Sequence, residues 1–293
     1  MNRIIGVIGP TAVGKSQVGI AIAKHLQGEI ISCDAFQFYR GLTIGTAKLL
    51  ESEWQGVKHH LIDILDPKES FSVADYQKIV RAKIDELHRK NITPILVGGS
   101  GLYIQSVLYD YRFNGQKRVD DVELAKLANG ELWQLLNNIA PEIADKTDQS
   151  NRRRLMRAIE IAQSEEDPFD QKGKNPYYDN FSLVGLEMPR ADLYAQIEKR
   201  VDQMISSGLI EEVRGLYDAQ VVGQSTQAIG YKELYQYFDG KKSLEETIML
   251  IKQQTRRYAK RQMTWFKNKM LAKWYQVDLL HFQDTVDSII NDL

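Results

Sequence analysis

The stretch Val7-Ile8-Gly9-Pro10-Thr11-Ala12-Val13-Gly14-Lys15-Ser16 decides how this chain is read. It carries the spacing G-x-x-x-x-G-K-[ST], a loop that cradles phosphates. Its flanks agree: Arg3 to Ile8 is a short apolar run suited to a buried strand, and Gln17 to Leu26 alternates apolar and polar residues at the helical period. Strand, glycine loop and helix in that order aim backbone N–H groups and the positive end of a helix at an anion. Gly9 and Gly14 permit backbone angles that a side chain forbids. Lys15 brings a positive charge to a terminal phosphate, and Ser16 can place a hydroxyl on Mg²⁺. Gly9, Pro10, Thr11, Ala12, Val13, Gly14, Lys15 and Ser16 together are the expected diphosphate or triphosphate site. Nucleotide-binding and ATP-binding proteins use the same spacing, so the loop does not say what is done with the phosphates.

The chain around it has 293 residues, enough for one large domain or two smaller ones with a sizeable core. Hydrophobic residues make up 43% and charged residues 26%, the balance of a water-soluble globular protein. No apolar run reaches the length of a membrane span, and the N-terminus leads straight into the first strand without a signal peptide. The single cysteine, Cys33, rules out an internal disulfide and fits a reducing compartment, so a cytoplasmic location is expected. A net charge of −1 gives no global attraction to nucleic acid, and basic clusters must be judged locally.

Beyond the first helix, Glu29 to Asp34 reads as a second short strand ending in an acid. Ligands of open parallel sheets sit at the carboxyl ends of strands, which puts Asp34 beside the phosphate loop. A carboxylate there can accept a proton, bind Mg²⁺ through water, or cap a turn. Ala35 to Lys48 is aromatic, then polar and glycine-broken, and reads as a loop lining the same crevice; its rings suit either the core or base stacking. His59 to Ile64 reads as a strand stopped by Asp66-Pro67, with one histidine packed and the other exposed. One cysteine and no H-x-x-x-H spacing argue against zinc. Ser72 to Lys90 is an amphipathic helix with Ser72 as N-cap and Asp75 in its first turn. Thr93 to Tyr103 is a buried strand running through a glycine turn into a helix. Strands and helices thus alternate as in a parallel sheet with helices on both faces.

From about Phe113 helices replace strands, and a polar segment covers Glu165 to Tyr178, so residues 113–178 read as a helical insertion. Within it, Asn151 to Glu160 places four arginines in six positions. They can contact phosphates, or form a solvated face balanced by Asp145, Asp148 and Glu160. Phe181 to Leu186 reads as a return strand, and Asp192 to Met204 as a helix with an apolar stripe at Leu193, Ile197, Val201 and Ile205. Arg200 lies off that stripe, free to face a cleft or water. Gly230 within Gln227 to Glu233 hints at a close backbone approach. A long helix, Leu244 to Asn268, carries Lys252, Arg256, Arg257, Lys260, Arg261 and Lys267 among Tyr258, Trp265 and Phe266. That mixture suits a nucleic-acid backbone, or aromatics docking the helix on the sheet. The tail after Trp274 has room for one more strand and helix.

Taken in order, the segments resemble the tRNA dimethylallyltransferases, also called isopentenyl transferases. The resemblance spans nearly the whole chain and rests on G-P-T-A-V-G-K-S at 9–16, I-S-C-D at 31–34, G-x-x-I-G-T-A-K at 41–48, H-L-I-D-I at 60–64, L-V-G-G-S-G-L-Y at 96–103, R-R-L-M-R-A-I-E at 153–160, A-I-G-Y-K-E at 228–233 and K-R-Q-M-T-W-F at 260–266. It implies an α/β fold: a P-loop type parallel sheet flanked by helices (residues 1–112 and 179–293), with a mostly helical inserted domain (113–178). It further implies transfer of a dimethylallyl group from dimethylallyl diphosphate to N6 of the adenine next to the anticodon, position 37, in tRNAs reading codons that begin with U. The implied catalytic residues are Asp34 as proton acceptor, Thr11, and Arg200 on the diphosphate; Ser16 would help hold Mg²⁺. The tRNA anticodon stem-loop would be held by Asp34, Ala35, Phe36, Gln37, Ser100, Arg153, Arg154, Leu155, Met156, Arg157, Gln227, Ala228, Ile229, Gly230, Tyr231 and Lys232. Ser100 stands where the family more often has threonine; both keep a hydroxyl. The insertion is on the short side, and no Cys/His finger follows the core, as in bacterial-type members. A monomer is expected. Two rival readings share some of these features. A P-loop small-molecule kinase would need a nucleoside triphosphate and an arginine-bearing lid. A non-catalytic nucleic-acid-binding module explains the basic patches but not Asp34 and Arg200 beside the loop.

Overall fold

Five consecutive buried residues, Ile4–Ile8, form β1. Their side chains alternate between two apolar layers: Ile4 and Ile8 enter one, Ile5 and Val7 the other. A strand buried on both faces needs no polar alternation, which is why the stretch reads as a plain apolar run. The structure, a computed structural model, describes residues 3–113, 124, 126–163 and 175–293. After β1 come α1 (Lys15–Leu26), β2 (Glu29–Ser32), β3 (His59–His60), α2 (Val73–Arg89), β4 (Pro94–Val97) and α3 (Gly101–Leu108). The insertion holds α4 (Asn129–Ile139), α5 (Pro141–Ala144) and α6 (Arg152–Gln163). Then follow β5 (Phe181–Glu187), α7 (Arg190–Ser206), α8 (Leu209–Asp218), α9 (Tyr231–Phe238), α10 (Leu244–Lys269), β6 (Lys273–Gln276) and α11 (Phe282–Asn291).

The six strands form one sheet in the order β3-β2-β4-β1-β5-β6, every pair parallel. Residues of α2, α3 and α10 share one apolar layer with Ile31 and Leu96. Residues of α1, α7 and α11 share the other with Ile30 and Ile95. The helices that follow β1 and β4 therefore lie on opposite faces, which opens a crevice over the carboxyl ends of those neighbouring strands. A third cluster joins Tyr39 and Leu42 of the 35–48 loop to α7, α8, α9 and α10. The aromatics of that loop are thus largely core: Phe38 and Tyr39 are fully buried.

The run from His59 to Ile64 is strand only at His59–His60, because Leu61 and Asp63 take left-handed backbone angles (φ 61° and 55°) and turn the chain. Neither histidine is exposed: His59 is half-buried, stacked on Trp54, with Nδ1 2.9 Å from the Val57 carbonyl, and His60 Nε2 lies 2.5 Å from Glu29.

The chain divides into two compact units, Met1–Tyr111 with Asn175–Leu293, and Arg112–Lys174. Asn175 to Tyr178, read from sequence as insertion, belongs with the sheet. The Asp110 N–H donates to the Asn175 carbonyl at 2.9 Å, the Tyr177 N–H to Leu108 at 2.8 Å, and Tyr109 bridges Pro176. Residues 164–174, most of the polar segment expected there, lie outside the described residues. The second unit packs Leu132, Leu136, Ala144, Leu155 and Ile159 in its own core. Among the described residues no helix is long and apolar enough to cross a membrane.

Candidate active site

The phosphate loop leaves the end of β1 and closes at Gly14, whose left-handed φ of 95° starts α1. A Cβ at Gly14 would lie 2.7 Å from the Phe282 ring of α11, so both backbone angle and space call for glycine. Val13 is buried and anchors the loop; Lys15 and Ser16 are half-buried on the first helical turn. The Lys15 ammonium turns back and donates to the Pro10 carbonyl at 2.6 Å.

Three charged groups converge on this loop. Asp34 follows β2, and its Oδ1 accepts the Phe36 N–H at 2.9 Å, a turn that holds the carboxylate at the strand end. Burial lifts the Asp34 carboxyl above its ordinary range, opposed by the Phe36 N–H, Lys15 and Arg200. Burial lowers Lys15 to about 7; the neighbouring Arg200 adds to that fall and Asp34 partly reverses it. Arg200, on α7, is itself lowered by burial and supported by Asp34. Its helix buries Leu193, Ile197 and Val201, leaving the guanidinium to face the crevice. Two cations and one carboxylate that feel one another in a partly dry crevice form a site suited to a multiply charged anion.

The far side of the crevice is shaped by the strand ends. Gln37 is bonded through both ends of its side chain, with the Ser32 hydroxyl donating to Oε1 at 2.9 Å and Nε2 donating to the Thr46 carbonyl at 3.2 Å. Ala35 and Phe36 are half-buried between them. Ser100 stands at the start of α3, its side chain making no cap bond, and lies beside the Tyr258 hydroxyl of α10. One turn further along α10, Gln262 is buried; its Oε1 accepts the Thr11 N–H and its Nε2 donates to the Gly99 carbonyl, both at 2.9 Å. Gln262 was missed by sequence reasoning, which read Tyr258 only as one aromatic of the basic helix. The available signal was an uncharged amide and a phenol four residues apart on one face of an otherwise basic helix.

Glu212 of α8 was missed as well. Its carboxylate accepts three successive backbone N–H groups, from Thr43 at 2.9 Å, Ile44 at 2.7 Å and Gly45 at 3.1 Å, and the Tyr231 hydroxyl at 2.5 Å. This clasp fastens the 41–48 loop to α9. The 227–232 stretch is divided in consequence: Gln227 is exposed, Ile229 and Lys232 are half-buried, and Ala228, Gly230 and Tyr231 are buried. On α10, Lys252, Arg256 and Lys267 pair with Asp202, Glu198 and Glu187, whereas Arg257, Lys260 and Arg261 line a cleft of ≈ 540 Å³ beside Trp265.

Within the second unit, Arg153, Arg154 and Arg157 are exposed on α6 and Met156 is half-buried. Leu155 is fully buried, and Arg152 is turned onto the Leu127 carbonyl at 2.6 Å. The side chains of Leu155, Ala228 and Tyr231, expected among the tRNA contacts, are therefore packing and anchoring groups; a helix that offers arginines to an anion still needs an apolar stripe to be held in place.

A loop with phosphate-binding spacing, facing a half-buried acid across two cations, suits a group-transfer enzyme with a phosphate-bearing substrate, and similarity to known proteins gives its family. Residues 37–269 match the family model described as IPP transferase. A tRNA dimethylallyltransferase of Bacillus subtilis is 48% identical over 94% of this chain and 90% of its own length. The full-length tRNA isopentenylpyrophosphate transferase of Bacillus halodurans, a crystal structure, is 42% identical over 100% of this chain and 95% of its own, with a TM-score of 0.76. A eukaryotic dimethylallyltransferase acting on tRNA superposes with a TM-score of 0.83 at 26% identity, over 98% of this chain and 77% of its own. The chain belongs to the tRNA dimethylallyltransferase family of prenyl-transferring enzymes. That membership removes the small-molecule kinase reading.

Proposed function

We propose that this chain transfers a dimethylallyl group from dimethylallyl diphosphate to N6 of the adenine at position 37, beside the anticodon, in tRNAs reading codons that begin with U. The observation that carries the reading is the grouping of Lys15, Arg200 and Asp34 around one phosphate loop. The lone pair of N6 forms a bond to C1 of the allyl group while the C1–O bond breaks and its electrons pass to the diphosphate. The N6 proton goes to the Asp34 carboxylate, which burial has made more basic than an ordinary one. Charge grows on the leaving diphosphate as that bond breaks, so Lys15, Arg200 and the loop amides stabilise the transition state more than the ground state. Thr11, on the same loop, would add its hydroxyl to the diphosphate.

The oxygen donors on this loop and strand end, the Ser16 hydroxyl and the Asp34 carboxylate, suit a hard cation that keeps most of its waters. Ser16 would hold Mg²⁺ against the diphosphate, where the ion supplies charge neutralisation. On the acceptor side, Ala35 to Gln37 and Ser100 would meet the target base, and Gln227, Ile229 and Lys232 its flanking nucleotides. The exposed Arg153, Arg154 and Arg157 would take backbone phosphates. Flipping the base out of its stack costs a few kcal/mol, less in a loop than in a duplex, and tRNA binding offsets it. We further propose that the enzyme works as a cytoplasmic monomer.

The test is a mass measurement. Unmodified tRNA, protein, Mg²⁺ and dimethylallyl diphosphate are incubated, digested and searched for a C5H8 gain on adenosine. A gain confined to position 37 is expected. Bound tRNA without product would point instead to the non-catalytic binding module.

A further inference from the structure

Gln262 is the only described residue whose side chain bonds both the phosphate loop and the turn after β4. Its position is unusual for a glutamine: 5% exposed, on a helix otherwise rich in lysine and arginine. Both ends of its amide are used on backbone groups whose roles are fixed. The Thr11 N–H can only donate and the Gly99 carbonyl can only accept, so the amide has one orientation that satisfies both. The space around it is equally restrictive. A Cβ at Gly99 would overlap Gln262 Nε2 and lie 3.6 Å from Lys15 Nζ, so the glutamine amide, the turn and the lysine crowd one spot. The Tyr258 hydroxyl, one helical turn away, lies beside Ser100 and Gln262.

We propose that Gln262 is a positioning residue that ties the donor side of the site, through Thr11, to the acceptor side, through Gly99 and Ser100. The distance between the leaving diphosphate and the incoming amine is then set from α10. The inference rests on the transfer reaction proposed above. It separates the two loops' roles: each loop can bind its own substrate alone, but only the amide between them holds both substrates in line. Gln262 touches neither reacting atom.

Two substitutions test it in the full chain. Gln262→Leu keeps volume and removes both bonds; Gln262→Asn keeps the amide but, one methylene shorter, reaches one loop or the other. For each, kcat is measured with both substrates saturating, alongside the separate affinities for pyrophosphate and for an anticodon stem-loop. A misplacement on the order of 1 Å is worth about a hundredfold in rate. The expected result for Gln262→Leu is therefore a fall in kcat of about that size, with each separate affinity within about threefold of wild type, and a smaller fall for Gln262→Asn. A kcat within about threefold of wild type in both variants overturns the inference. So does a loss of kcat matched by an equal loss of either separate affinity, which is what simple damage to the fold produces. If Gln262→Leu does not fold, the Gln262→Asn result decides by the same criteria. If wild-type protein forms no product, the transfer reading fails; product from wild type with normal variants sinks only the role of Gln262.

Discussion

The Lys15 ammonium donates to the Pro10 carbonyl at 2.6 Å, so the loop's own lysine occupies the loop's own backbone. Burial and the nearby Arg200 bring this amine to about 7, against an ordinary 10.5. Between those values the folded chain holds one proton fewer than the unfolded chain, so stability of the ligand-free protein rises with pH across that window. Lys15 should react with an amine-selective acylating reagent with a midpoint near pH 7, while exposed lysines follow a midpoint near about 10.4. Pyrophosphate should block it. Peptide mapping by mass spectrometry reads each site separately, and a Lys15 midpoint equal to that of the surface lysines would contradict both its burial and the close Arg200.

Arg200 contributes to that low value, second to burial. Arg200→Met should therefore move the Lys15 labelling midpoint upward, towards the ordinary lysine range. The same change removes one of the two cations that favour the Asp34 carboxylate, so the Asp34 carboxyl should move further up. Identical Lys15 labelling curves in wild type and variant would mean that the two cations do not share a site.

In the proposed reaction Asp34 is the base, and burial raises its carboxyl. Rate should fall as pH drops through that raised value, because the acid form cannot accept the N6 proton. Asp34→Asn should lower kcat by about a hundredfold or more while leaving tRNA affinity nearly intact. The pH profile of kcat and a tRNA binding titration check this together; an unchanged rate would take Asp34 out of the chemistry.

Glu212 holds three consecutive amides of the 41–48 loop and the Tyr231 hydroxyl. Hydrogen bonds to a charged acceptor are worth more than neutral ones, and Glu212→Ala should destabilise the fold by about 2–3 kcal/mol in urea unfolding. Hydrogen exchange at Thr43, Ile44 and Gly45 should accelerate more than exchange in β1. Equal protection of those amides in wild type and variant would contradict the clasp.

The parallel sheet was legible because its strands are buried on both faces and its helices carry local start signals. Ser72 and Asp75 form the reciprocal cap expected of them, with the Asp75 N–H donating to Ser72 at 3.1 Å. Asp34 was legible because a strand end fixes where an acid goes. What stayed hidden depends on long-range packing. Gln262 meets Thr11 across 251 positions and Glu212 meets Thr43 across 169, separations at which no local period carries information. The resemblance likewise marked Leu155, Ala228 and Tyr231 with their neighbours, since a motif records a whole stretch and does not separate the side chains that face a ligand from those that hold the stretch in place. The strand at the histidine pair was read too long for another reason: two left-handed residues after it turn the chain, and neither is the glycine that would signal a turn.

The central claim is that the diphosphate of an allylic donor sits on the loop from Gly9 to Ser16, with its C1 turned towards Asp34. A crystal structure of the chain with the unreactive sulfur analogue, dimethylallyl thiodiphosphate, and Mg²⁺ tests it most directly. The account predicts phosphate density over the loop amides, Lys15 released from Pro10 onto that density, and Arg200 in contact with it. Diphosphate bound elsewhere, for instance in the cleft beside Arg257 and Arg261, with Lys15 still on Pro10, would contradict it.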